Sequence, residues 1–280
     1  MQGNEKFLGR VASYAHKHAL WREGERILAA VSGGPDSLAL LLALKLLAVK
    51  EKINIGCCCV NHHLRAAAGK EAEFVESVCR EWNIPFILKE VDVQSAVRNG
   101  GSIETAARDL RYKALREAAR GGGYAKIAVA HHGDDQAETV LYHLLRGSGV
   151  TGLSGMKPIN GDIIRPFLCV SKNEIKDFLK DFSYVPCHDE SNDVEDAVRN
   201  RIRLSLVPEL ISYNPRVTES LRRTADIFRE EDLFMEEKAD VFISSCVEHD
   251  NDKCVFFIAY FLVLHIALQR RVIRKICCMV

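Results

Sequence analysis

The sequence predicts an α/β fold, a doubly wound parallel five-stranded sheet followed by a smaller helical region. Three observations predict it. Strand-like runs rich in Val, Ile, Leu and Ala recur at residues 27–31, 53–60, 86–91, 125–130 and 163–168, with helical patterns between the first four. Polar segments follow several of these runs, at the carboxyl ends where parallel sheets collect ligands. Beyond about residue 212 the pattern gives way to one long charged helix, residues 218–244. The division that follows is 1–212 for the sheet domain and 213–280 for the helical region.

Composition sets limits on this reading. The chain has 280 residues, and its 38 basic and 38 acidic side chains cancel, so any nucleic-acid argument must rest on local clusters. Of its ten cysteines none form a C-x-x-C pair, and Cys57, Cys58 and Cys59 are consecutive within a strand-like run. Neighbouring side chains of a strand point to opposite faces, so these three cannot share one metal; they read as buried free thiols of a reducing compartment. The first 21 residues mix charges through every turn and lack a signal-peptide core. The longest apolar run, residues 254–268, is about fifteen residues, short of the roughly 20 that cross a bilayer; it reads as a buried helix or a strand-helix pair.

The first strand runs into SGGPDS, a turn that must end it sharply before an apolar helix begins. Glycines at a helix N-terminus let an anion approach unpaired backbone N–H groups at the positive end of the dipole. Gly33 and Gly34 supply that freedom, and Ser32 and Ser37 add hydroxyls. Asp36 fits such a seat if Mg2+ lies between carboxylate and phosphates. An ordinary tight turn with Pro35 in the first helical turn also fits. NHHLR follows the second strand, a polar and basic loop. Residues 100–120 then suit a helix started by Ser102 and Thr105, with Ile103, Ala106, Ala107, Leu110 and Ala114 on its apolar face and Arg108 and Arg111 neighbours on its surface. After the fourth strand HHGDDQAET opens a helix with acids in its first turn. RGSGVTGLSG, residues 146–155, reads as a mobile loop rather than an element, and residues 171–182 as a short helix with an S-x-x-E cap at Ser171 and Glu174. Residues 188–210 turn from acidic to basic, and from 199 to 223 six arginines face two glutamates, a local charge of +4 that suits phosphate contacts.

The turn lacks G-x-x-x-x-G-K-[ST], having no lysine after its glycines, and lacks G-x-G-x-x-G. It suits ATP used to transfer AMP to a substrate oxygen, with pyrophosphate leaving. Asp134 and Asp135 adjoin His131 and His132, with Glu138 beyond. A zinc site would want more His or Cys at fixed spacing. A helix N-terminus stabilised by its acids remains one reading, and a carboxylate that holds and deprotonates an amine, with a His or the arginines stabilising charge, remains another.

Taken in order, SGGPDS, NHHLR, ARDLRY, AHHGDDQAET, LLRGSGVTGLSGM, RPFL, DESN and RNRIR resemble the tRNA(Ile)-lysidine synthetase family of PP-loop ATP pyrophosphatases, over roughly residues 26–215. The resemblance implies a Rossmann-like PP-loop domain and a ligase that joins free L-lysine to carbon 2 of the wobble cytidine of tRNA(Ile) with a CAU anticodon. The cytidine oxygen is adenylated and then displaced by the lysine amine, giving lysidine, AMP and pyrophosphate and changing the codon read from AUG to AUA. By matched position it implies that Ser32, Gly33, Gly34, Pro35, Asp36 and Ser37, with Asn61 and His62, hold ATP, and that Asp36 holds Mg2+. Arg111 and Asp135 become the key groups of the lysine and adenylate chemistry, with Arg108, His131, His132, Asp134 and Glu138 around them. Arg65, Arg146, Asp189, Asn192, Arg199, Asn200 and Arg203 are implied near the cytidine or the tRNA backbone. A cytoplasmic enzyme without membrane association is expected, with a homodimer left open. Two departures stand out: AAAGKEAE follows NHHLR where a Ser or acidic cap is expected, and the chain ends soon after IALQRRVIRK, where the family continues into a further tRNA-gripping domain. Either a fragment or a short form with a smaller tRNA interface is expected.

Overall fold

The computed structural model of the chain describes residues 2–62, 68–93, 103–182, 197–250 and 253–279. Helix α1 (Gln2–Lys17) leads into β1 (Arg26–Ala30), α2 (Pro35–Glu51), β2 (Asn54–Asn61), α3 (Ala68–Glu81), β3 (Phe86–Glu90), α4 (Ile103–Gly122), β4 (Lys126–Ala128) and α5 (Gly133–Leu145). A single turn α6 (Val150–Leu153), strands β5 (Ile159–Asn160) and β6 (Ile163–Ile164), a 3-10 turn (Pro166–Cys169) and α7 (Lys172–Lys180) follow. Then come α8 (Ala197–Arg201), a π-helical turn (Ile202–Leu206), α9 (Val207–Tyr213), α10 (Val217–Cys246), β7 (Val247–Asp250), β8 (Lys253–Phe256), α11 (Ile258–Leu262) and α12 (Ile266–Ile276).

The main sheet runs β3-β2-β1-β4-β6-β5. Its first five members are parallel in pairs, while β5 joins β6 antiparallel. The five expected strands are all present. The sixth was too short for periodicity to reveal: two residues, joined to β6 through Gly161 at φ +62 and Asp162. The expected fifth strand is also shorter than residues 163–168, because Pro166 has no N–H to give the ladder and starts the 3-10 turn. The strand order reverses between β1 and β4, so the loops after these two strands flank the switch point where such sheets bind ligands.

Both faces of the sheet are covered. Cys57 and Cys58 point to opposite sides, Cys57 into a core built with α1, α2, α3 and α7, and Cys58 into one built with Leu115, Ala118 and Ala119 of α4. They and Cys59 are buried free thiols. Helix α2 is buried from Ser37 through Leu44, as its apolar residues on every side require. Helix α7 starts with the expected capping box, Glu174 N donating to Ser171 Oγ (3.3 Å) and Ser171 N to Glu174 Oε2 (2.8 Å).

The chain divides into two compact units, residues 1–138 with 156–219, and residues 139–155 with 220–280. In the second, α10 is the expected long charged helix, and Ala239 and Phe242 of α10 pack with Val272 and Ile276 of α12. Residues 146–155, expected to be a loop rather than an element, contain the single turn α6. Gly149 precedes α6, Gly155 takes φ +64 after it, and Thr151 Oγ1 donates to Asp232 Oδ1 (2.7 Å). Residues 254–268 do form a strand followed by helices, but they are not buried: Val255, Phe257, Ile258 and Val263 are all exposed. Among the described residues no helix is long and apolar enough to cross a membrane.

Candidate active site

The turn after β1 is shaped by its own side chains. Gly33 takes φ +92, a backbone conformation that favours glycine, while a Cβ there would make only ordinary contact with Glu71 Cβ on α3, at 3.4 Å. Gly34, extended, precedes α2 and has no side chain to cap it, and Pro35 takes the first helical turn. Ser37 is buried and closes the turn: its Oγ donates to Gly34 O (3.0 Å), accepts from Ser32 N (3.2 Å) and lies 3.2 Å from Ser32 Oγ. Asp36 stands beside them. Its Oδ1 is buried without a partner, and its Oδ2 lies 3.7 Å from His132 Nε2. Burial pushes the Asp36 carboxyl above the usual range, against the opposing pull of His132 and Lys172.

The loop after β4 meets this turn through His132, which is 3% exposed. Its ring reaches Asp134 (Nδ1 to Oδ2, 3.6 Å) and Asp135 (Nε2 to Oδ2, 3.5 Å) as well as Asp36. His132 N donates to Asp135 Oδ2 (2.9 Å). Burial works to raise the Asp135 carboxyl, but His132, His131 and the backbone N–H outweigh it and hold the group below its ordinary value. Asp134 turns elsewhere: its Oδ2 accepts from Lys172 N (2.6 Å), an anion at the start of α7. Glu138, one turn along α5, is buried under arginines. Arg203 Nε and Nη2 donate to its two oxygens (2.7 and 3.0 Å), Nη2 also reaches Asp135 Oδ1 (3.2 Å), and Arg199 Nε lies 3.6 Å from Oε2. Arg203 belongs to the π-helical turn, a local irregularity often found at functional sites.

A basic group lies alongside. His131 Nδ1 and His62 Nδ1 are sealed from solvent without partners. Burial drives the His131 ring down to about 3, against Asp135 and with help from Arg165, Arg108 and Arg199. His62 is lowered by burial and then by Arg111. Arg108 and Arg111 flank the Tyr112 ring at 5.2 and 5.9 Å.

The structure thus brings together Ser32, Gly33, Gly34, Pro35, Asp36, Ser37, His131, His132, Asp134, Asp135, Glu138, Arg199 and Arg203, with Arg108 acting on His131. Arg111 acts on His62, and Asn61 is buried at the end of β2. Asn200 is half-buried on α8. Arg146 belongs to the second unit, over the Tyr142 ring at 5.1 Å. Arg65, Asp189, Asn192 and Ser102 lie outside the described residues.

Sequence reading passed over Arg165, Gln136 and Lys172. Arg165 is buried, donates from Nη1 to Lys157 O (2.8 Å) and keeps an unpartnered Nε; burial lowers its guanidinium. Gln136 clamps the backbone of Met156 from both ends of its amide (2.7 and 3.2 Å). The signal for Arg165 was there, an arginine before a proline at the end of a strand; Gln136 and Lys172 carried none.

A model of the PP-loop domain matches residues 5–210. The chain is 36% identical over 269 residues to tRNA(Ile)-lysidine synthase of Caldanaerobacter subterraneus subsp. tengcongensis, covering 95% of this chain and 58% of that protein. It is 37% identical over 233 residues to tRNA(Ile)-lysidine synthase of Petrotoga mobilis, covering 81% of this chain and 74% of that one. Among solved structures it resembles the U34-tRNA thiolase NcsA from Methanococcus maripaludis with its [4Fe-4S] cluster, with a TM-score of 0.65 and 17% identity over 81% of this chain and 80% of that one, a likeness of fold. The chain spans about three fifths of the length of the first curated relatives it matches.

Proposed function

The chain belongs to the tRNA(Ile)-lysidine synthase family of PP-loop proteins, and from that membership we propose that it ligates free L-lysine to carbon 2 of the wobble cytidine of tRNA(Ile) with a CAU anticodon. ATP adenylates the cytidine oxygen and pyrophosphate leaves. The lysine amine then attacks carbon 2 and AMP leaves, giving lysidine. Residues 1–212 carry this chemistry, residues 213–280 add to the grip on tRNA, and the work is cytoplasmic. One observation carries the reading: a glycine turn at a helix N-terminus and an unpartnered carboxylate oxygen of Asp36 stand beside His132 and Asp135 at the switch point of the sheet.

Each group has work in this scheme. The uncapped start of α2 and the hydroxyl of Ser32 suit the phosphates of ATP. Asp36 Oδ1 fits Mg2+, which is commonly held by one or two carboxylates and the substrate's own phosphates; among the described residues no cluster of three or more metal-ligating side chains offers an all-protein cage. Bound there, Mg2+ supplies charge neutralisation for the phosphates. Asp135, held ionised, suits the lysine ammonium, with Glu138 beside it. Arg111 and Arg108 supply fixed positive charge for the adenylated oxygen, and the neutral ring of His131 is free to donate or accept a hydrogen bond. Arg199, Asn200 and Arg203, with Arg65, Arg146, Asp189 and Asn192, are assigned to the cytidine and its flanking backbone.

The test is incorporation of labelled lysine. With ATP, Mg2+ and a CAU-anticodon tRNA(Ile), the chain is expected to label that tRNA and not one with a GAU anticodon. No incorporation, where a full-length relative succeeds under the same conditions, rules out this activity for the chain.

A further inference from the structure

The glycine turn of this fold has no lysine of its own to meet the phosphates. Gly34 is followed by Pro35 and Asp36, and the first lysine of α2 is Lys45, whose Nζ donates to the backbone oxygen of Trp82. Pyrophosphate leaving from ATP carries several negative charges, and a metal ion held by one carboxylate neutralises only part of them.

Three basic side chains lie near enough to act on Asp36: His132, Lys172 and Arg203. Arg203 is committed to Glu138 and Asp135. The His132 ring is enclosed by Asp36, Asp134 and Asp135. Lys172 is different, because among the described residues its ammonium makes no ion pair.

Its position is fixed by two ties to the loop after β4. Lys172 N donates to Asp134 Oδ2 (2.6 Å), and Gly133 N donates to Val170 O (2.8 Å). Asp134 and Asp36 bracket the same His132 ring at 3.6 and 3.7 Å. The start of α7 is therefore stitched to the rim that carries Asp36, and Lys172 there is half-buried.

We propose that Lys172 is the pyrophosphate-binding cation of this site, brought from the start of α7 to do what a lysine within the turn does in an ordinary P-loop. The proposal rests on the adenylation reading given above. In that step a bond forms between the cytidine oxygen and the α-phosphorus of ATP. The bond from the α-phosphorus to the bridging oxygen breaks, and its electron pair stays on the departing pyrophosphate. The ammonium of Lys172 meets the charge that develops there, and no proton has to move.

The experiment measures binding of inorganic pyrophosphate with Mg2+ to the full chain by calorimetry, for the wild type, Lys172→Ala and Lys172→Arg. A unit charge a few ångströms from the ligand corresponds to about tenfold or more in affinity. Lys172→Ala is expected to weaken pyrophosphate binding by at least that factor and Lys172→Arg to restore most of it. Adenosine, which has no phosphate, is expected to bind all three equally. The backbone N–H that bonds Asp134 survives both substitutions, so the melting temperatures should agree; if Lys172→Ala melts early, Lys172→Met, which keeps the apolar stem, replaces it. Wild-type affinity in the alanine variant overturns the assignment while leaving the adenylation reading intact. A wild-type chain that binds neither ATP nor pyrophosphate overturns both.

Discussion

The two units bury charge in opposite ways. In the unit built on the parallel sheet, ionisable groups cluster after the carboxyl ends of β1, β2, β4 and β6 and are incompletely satisfied: Asp36 Oδ1, His62 Nδ1, His131 Nδ1 and Arg165 Nε lack partners. In the helical unit, the acids along α10 are paired with bases of α12, Asp232 with Arg271 (2.7 Å), Glu236 with Arg271 and Lys275 (2.6 and 2.7 Å) and Asp240 with Lys275 (2.5 Å). Arg229 keeps one unpartnered Nε there, yet its other nitrogens bond Asp226 and Ser154 O. A buried polar atom without a partner opposes folding, and a ligand that completes it offsets that cost. Paired charges between two helices need no ligand and act as structure. Among the described residues the small apolar cluster of the helical unit buries Ala239, Phe242, Val272 and Ile276, and the charged row joins the same two helices, α10 and α12.

Substitutions should separate the two kinds of charge. The largest effect is expected at Asp36. Asp36→Asn keeps the shape and removes the charge, so AMP formation should fall by at least on the order of a hundredfold. Its melting temperature should stay level or rise, because burial already disfavours the ionised carboxyl. Next comes Asp232→Ala in the helical unit, which removes one of the two carboxylates that Arg271 holds, in a place where the Asp232 and Arg271 side chains are about nine-tenths buried, and leaves Glu236 as the other. A buried pair broken outright costs about 3–5 kcal/mol, and with Glu236 still paired the loss should be smaller than that, seen as early melting of the helical unit, while pyrophosphate binding to the sheet unit should not change. A reversed pattern, with Asp36→Asn unfolding and Asp232→Ala folded but inert, would break the comparison.

Acid should also act differently on the two. The His131 ring is depressed to about 3 in the fold. Between about pH 6.5 and 3 the unfolded chain takes up a proton that the folded ring refuses, so stability is full above that window and falls as pH drops through it. His131→Asn should remove up to about 2 kcal/mol of the loss between pH 7.5 and 5, read from urea unfolding at the two pH values. Asp232 and Glu236 are also held low, against the upward push of burial, by Thr151, Arg271 and Lys275. Their contribution is full above the ordinary carboxylate range and lost only as pH falls through their lowered values, so the helical unit should keep it at pH 5. The smallest effect is expected at Lys52→Ala, which removes an exposed pair with Glu23 and should change stability by less than about 1 kcal/mol.

Much of the sheet domain was legible because its signals are periodic. Apolar runs gave the five parallel strands, and SGGPDS and HHGDDQAET declared themselves by following two of them. What stayed hidden had no period: β5, a single turn of helix at α6, and the backbone bond that ties Lys172 to Asp134. The arginines after residue 199 show the limit of charge counting. Composition pointed to phosphate contacts, and what it could not show is that Arg199 and Arg203 also pair with Glu138 and Asp135, a choice made by tertiary packing. Residues 254–268 failed in the other direction: apolar content predicted burial, and the segment instead exposes Phe257 and Val263.

The central claim is that the unsatisfied carboxylate at the glycine turn serves adenylation. Its most direct test is transfer of label from α-labelled ATP to CAU-anticodon tRNA(Ile) with lysine omitted, in the wild type and Asp36→Asn side by side. The wild type should label the tRNA, and Asp36→Asn should not, at an equal or higher melting temperature. Labelling by Asp36→Asn at the wild-type rate would contradict the account.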